Sequence, residues 1–255
     1  MDAILSITNE RIIPVLETWD TVDAVLCLRF GGDRYDPSFF ISYDVYYDEA
    51  VPPPDQRAQA LPFAAGFETT LDGQKDRFLV EDVPVRLEYK SIHGIAAQIR
   101  AAKREGDPEV VTQTYGFYRI QAGQELLSRS PWLEQTRNAL RELPVTFWQH
   151  QAWFYRARMD HSLSDLSSAA YAGEELFFQI SLASFLENLA SLLFAINREF
   201  EPAGRALRPA LQKLSILPEE FETRLEYLLD TGGQVGKNRK REIAQLIARS
   251  VLRLQ

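Results

Sequence analysis

Asp44, Tyr46 and Asp48 stand two residues apart in the run FFISYDVYYD. Alternation at that period puts all three side chains on one face of a strand. Ahead of them lies a second strand-like run, Val25 to Phe30, cut off by Gly31-Gly32. A glycine pair at the end of a hydrophobic strand lets backbone N–H groups approach a bound group closely, often a phosphate. A carboxylate on the neighbouring strand could hold a divalent cation against that phosphate. Further on, Arg86, Glu88 and Lys90 alternate with Val85, Leu87 and Tyr89, the pattern of a half-buried strand. Types and spacing together point to nucleotide chemistry. The competing reading is a tight turn at the glycines, a solvated aspartate and an exposed charged ladder.

The same residues resemble the entry motif of the nucleotidyltransferases with the DNA polymerase β-like fold. That motif is a hydrophobic residue, two small residues, a gap of about a dozen, then two acidic residues alternating with hydrophobic ones. Here it reads Phe30-Gly31-Gly32, a gap, and Asp44-Val45-Tyr46-Tyr47. Asp44 fills the first carboxylate position and Tyr46 stands at the second. The resemblance implies Mg²⁺ as cofactor and NTP as substrate, with metal held by Asp44, Asp48 and Glu88 and catalysis resting on Asp44 and Glu88. It also implies nucleotide contacts from Gly31, Gly32, Arg86 and Lys90. In such chemistry paired carboxylates hold two ions that neutralise the triphosphate and orient the attacking hydroxyl. Tyr46 cannot take over a metal-binding carboxylate, because a phenol titrates near 10. Asp48 lies about 6.5 Å further along the strand and would serve only in a displaced geometry. The implied activity is transfer of an NMP group to a hydroxyl acceptor. The alternative is an inactive protein of the same fold, binding nucleotide or a protein partner.

Residues 5–20 predict a helix capped by Thr8 or Asn9, with Pro14 in or near its first turn. Pro52-Pro53-Pro54 ends the Asp44 strand. Strands follow at 77–80 and 83–90, then a helix from Ile92 to Arg104 capped by Ser91. The window 109–128 reads equally as strand or helix. Beyond Ser130 only helical patterns remain, at 131–142, 145–171, 174–200, 204–215, 219–230 and 234–254, broken at prolines and glycines. The segment Leu176 to Phe194 is apolar on nearly every side and predicts the central helix of a bundle. The expected fold is therefore α+β: a small mixed-sheet domain over 1–128, then an all-helical bundle over 129–255. Sheet-plus-bundle is also the layout of the aminoglycoside-modifying nucleotidyltransferases that the chain resembles.

Composition narrows the partners. The chain has 255 residues and a formal net charge of −8. Residues 1–130 hold 21 acidic against 13 basic side chains, and the remainder is balanced. An acidic first half is a poor surface for nucleic acid, but it suits carboxylates that bind cations. No uninterrupted apolar run reaches the roughly 18 residues of a membrane span, so no membrane partner is expected and a homodimer is left open. The single Cys27 lies inside an apolar strand, which predicts a core thiol and a cytoplasmic protein. His93, His150 and His161 have no zinc-ligand spacing. Lys237, Arg239, Lys240, Arg241, Arg249 and Arg253 read as a solvated helix face.

Overall fold

Period-two patterning builds a six-stranded mixed sheet. The computed structural model describes residues 2–30, 36, 39–104 and 114–254. The strands are β1 (Val22–Phe30), β2 (Phe40–Tyr47), β3 (Ala65–Thr69), β4 (Lys75–Val80), β5 (Val83–Ser91) and β6 (Gln124–Ser128). Their order is β3-β4-β5-β2-β1-β6. Only β2 and β5 pair in parallel, and the other neighbours run antiparallel. Helices in the same region are α1 (Asp2–Glu17), α2 (Pro54–Ala60), α3 (Ile92–Ala102), α4 (Tyr115–Ala122) and α5 (Trp132–Arg141).

The chain separates into two compact units, Met1–Arg104 with Gly116–Leu143, and Glu105–Tyr115 with Pro144–Gln255. In the first, one face of the sheet buries Cys27, Tyr43, Val45, Val85, Leu87 and Phe78 together with Ile12, Leu16 and Trp19 of α1. Asp44, Glu88 and their even-numbered neighbours therefore point to the other face.

Local signals account for most boundaries. Ser91 caps α3, its Oγ accepting from the Gly94 N–H at 3.4 Å. The Ser130 Oγ accepts from the Trp132 N–H at 3.1 Å and opens α5. The start of α1 differs from expectation. The helix already begins at Asp2, so Pro14 lies well inside it, and Thr8 donates to the Ile4 carbonyl at 2.8 Å instead of capping. Of the ambiguous window, 109–113 lie outside the described residues, and the rest divides between a helix, α4, and a strand, β6.

The second unit is helical: α6 (Val145–Ala172), α7 (Glu175–Asn197), α8 (Gly204–Leu211), α9 (Phe221–Leu229) and α10 (Lys237–Val251). Gly173 ends α6 in the left-handed region at φ 71°, which a glycine adopts without penalty. At 23 residues, with an 18-residue window of mean hydropathy 1.5, α7 is long and apolar enough to cross a membrane, although no uninterrupted apolar run in it reaches that length. It is instead central to the unit's core, where Phe178, Phe185, Leu189 and Leu193 pack with Leu166, Leu225 and Ile247. Nor is α10 only a solvated face. Lys240 is buried and donates to the Asp230 carbonyl, while Lys237 pairs with Glu175 at 2.7 Å.

Candidate functional site

The second sheet face is built from β4, β5 and β2. Asp44 pairs in register with Glu88, Ser42 with Arg86 and Tyr46 with Lys90. Beyond β5, Lys75 stands opposite Glu88 and Arg77 opposite Arg86. Five cations and two carboxylates result once α4 contributes Arg119. That helix reaches the sheet because Gly123 lacks a side chain. A Cβ there would lie 2.9 Å from the Leu26 Cβ on β1 and 2.7 Å from the Arg119 carbonyl. Glycine thus lets α4 turn into β6 while lying against β1, and this brings Arg119 over Asp44.

Asp44 is fully buried, and both its oxygens are taken. Oδ2 accepts from Arg119 Nε at 2.7 Å and from the Tyr46 hydroxyl at 3.2 Å, and lies 2.7 Å from Lys90 Nζ. Oδ1 accepts from Arg119 Nη2, which also donates to Ser42 Oγ at 2.8 Å. Two parallel guanidinium bonds to one carboxylate are the strongest geometry such a pair offers. Burial alone pushes the Asp44 carboxyl up, but the Lys90 charge and the Arg119 hydrogen bond and charge outweigh it and hold the group below its ordinary range. Burial first, and then the Asp44 charge, drive the Tyr46 phenol well above 10. Tyr46 therefore stays protonated and donates. Its ring packs 5.1 Å from that of Trp132 on α5.

The remaining expected residues divide. Glu88 is in register beside Asp44, with Lys75 Nζ at 3.0 Å and Lys90 Nζ at 3.8 Å. Arg86 lies over the Phe40 ring at 3.9 Å. Asp48 falls beyond the end of β2, is half exposed and pairs with His93 at 2.7 Å, away from Asp44. Gly31 and Gly32 lie outside the described residues. Sequence reasoning missed Arg119, Ser42, Lys75 and Arg77. For Arg119 a signal existed: a single charge inside the apolar pattern of Phe117 and Ile120.

A second cluster in the same unit offers a comparison. Arg57 on α2 grips Asp76 on β4 through Nε at 2.8 Å and Nη2 at 2.9 Å, and the Tyr89 hydroxyl donates to the same carboxylate at 2.6 Å. The other Arg57 donors go to the Pro52 and Gly73 carbonyls and to Thr69. Arginine, aspartate and tyrosine here pin a helix to a strand. The Asp44 cluster repeats that anatomy and adds Lys90.

A metal centre does not fit these donors. Mg²⁺ requires free carboxylate oxygens in near-octahedral array, whereas the Asp44 oxygens face three donor groups and the second position is a protonated phenol. Among the described residues no group of three or more His, Cys, Asp or Glu could hold a metal ion.

The fold is nucleotidyltransferase-like. It is similar to the crystal structure of a nucleotidyltransferase-like protein from Exiguobacterium sibiricum, with a TM-score of 0.51 over 96% of this chain and 74% of that one. At 11% identity the likeness is one of fold. No family model matches the chain, and no curated protein matches it in sequence.

Proposed function

We propose that this chain is a catalytically silent protein of nucleotidyltransferase-like fold that binds a nucleotide polyphosphate without a metal ion. One observation carries the reading: the carboxylate at the first metal position is enclosed by Arg119, Lys90 and Tyr46. An enzyme of this type needs that group free, and freeing it would take the carboxylate from the buried Arg119 and one of the two carboxylates from Lys90. The face around it supports the binding half of the reading. Lys75, Arg77, Arg86, Lys90 and Arg119 outnumber Asp44 and Glu88, so cations of the protein supply the positive charge that Mg²⁺ supplies elsewhere.

Titration with ATP tests this, once with EDTA and once with Mg²⁺. Equal affinity in both buffers, no release of pyrophosphate, and weaker binding by Arg77→Gln and Arg86→Gln are expected. Binding that appears only with Mg²⁺, or turnover of ATP to pyrophosphate, would restore the transferase reading with Asp44 and Glu88 as its metal ligands.

A further inference from the structure

Within the helical unit, α6 and α7 part along one side into a groove of about 630 Å³. Its rim is apolar and open: Trp153 is 65% exposed, Ile180 55% and Phe177 40%. Its floor is polar. Asn188 is buried, donating to the Ser184 carbonyl at 2.7 Å and to Ser162 Oγ at 3.2 Å, and accepting from Arg158 Nε at 3.1 Å. Ser181, only 3% exposed, keeps a buried Oγ with no hydrogen-bond partner.

Two charges border this floor. Arg158 stacks over Phe154 at 5.4 Å and bonds Asn188 through Nε alone, and no carboxylate pairs with it among the described residues. Glu187 adjoins Asn188 in sequence and likewise has no ion-pair partner among them. The other acid of the groove, Asp165, stands 3.5 Å from His161. The groove thus offers, among the described residues, a cation and an anion that no ion pair engages, and an aromatic rim.

We infer that this groove binds a small zwitterion with a flat apolar side group, of the class of the aromatic α-amino acids. Arg158 takes its carboxylate, Glu187 its ammonium, and Trp153, Phe177 and Ile180 its ring. A ligand with both charges satisfies both side chains at once, whereas a simple cation or anion leaves one of them alone. The inference rests on the helical unit only and is independent of the nucleotide reading.

The test is calorimetric titration of the whole protein with L-phenylalanine, beside phenylethylamine, which lacks the carboxylate, and hydrocinnamate, which lacks the ammonium. L-phenylalanine is expected to bind saturably and tightest of the three, with a change in tryptophan fluorescence that Trp153→Phe removes. Arg158→Gln should weaken L-phenylalanine roughly tenfold, as loss of one charge-assisted pair implies, and leave phenylethylamine unchanged. Glu187→Gln should weaken L-phenylalanine and leave hydrocinnamate unchanged. Both positions are exposed, so circular dichroism of the variants should match the parent. Absence of saturable L-phenylalanine binding overturns the inference, as does binding indifferent to both variants. Self-association abolished by Ile180→Asp, with no amino-acid binding, also overturns it and makes the rim an interface between copies.

Discussion

Asp44 is the residue on which the two readings of this protein divide, and its stability contribution separates them. If it pins Arg119 and Lys90, Asp44→Asn takes the carboxylate partner from the buried Arg119, and removing one partner of a buried pair costs about 3–5 kcal/mol. Urea denaturation should show that loss, whereas a metal ligand held for function alone would leave stability unchanged. Its pH behaviour follows from the lowered carboxyl pKa. A carboxyl depressed in the folded state stabilises fully above its unfolded value of about 3.9, and that contribution vanishes as pH falls through the folded value. Stability of the parent should therefore fall more steeply below about pH 4 than that of Asp44→Asn. Tyr46→Phe removes one donor among several and should cost about 0.5–1.5 kcal/mol in the same assay. The sequence made Asp44 visible because alternation is a local property. Its partner Arg119 lies 75 positions further along, and nothing local joins the two. Asp48 shows the converse: its spacing fits the Asp44 face, but the strand ends one residue earlier, at Tyr47.

At the scale of elements, Gly123 controls how α4 meets the sheet. Gly123→Ala places a Cβ 2.9 Å from the Leu26 Cβ and 2.7 Å from a backbone oxygen that cannot swing aside. Overpacking of this kind costs about 1–3 kcal/mol. Because α4 carries Arg119, the substitution should also loosen the Asp44 cluster. The expected sign is faster hydrogen exchange of β1 and β2 amides in Gly123→Ala, and unchanged exchange there would detach α4 from the site. Elements with strong local punctuation were legible from sequence: β2 by alternation, α3 by the Ser91 cap, and α6 and α7 by the break at Gly173. The window around Tyr115 was not, since its aromatic and β-branched residues suit either structure. Pro14 misled for a similar reason. A proline deep in a helix is costly in isolation, and burial of Ile12 and Leu16 against the sheet outweighs that cost here.

At the scale of the molecule, the two cores have no residue in common. One gathers Leu16, Tyr43, Val45 and Leu87 around the sheet, the other Phe178, Phe185, Leu189 and Ile247 around α7. Each buries large side chains enough to fold cooperatively, and we propose that they unfold as separate transitions. Phe185, fully buried on α7, is the probe for the second core. Phe185→Ala removes an aromatic ring from a closed site, at about 3–5 kcal/mol. In scanning calorimetry it should lower one transition and leave the other in place, while Asp44→Asn should do the reverse. Near-additivity in the double variant follows, because substitutions without shared partners do not couple. A single transition that both substitutions lower equally would show instead that the two cores fold as one. The acid titration would then no longer report on the sheet alone, since protonating Asp44 would bring down the helices with it.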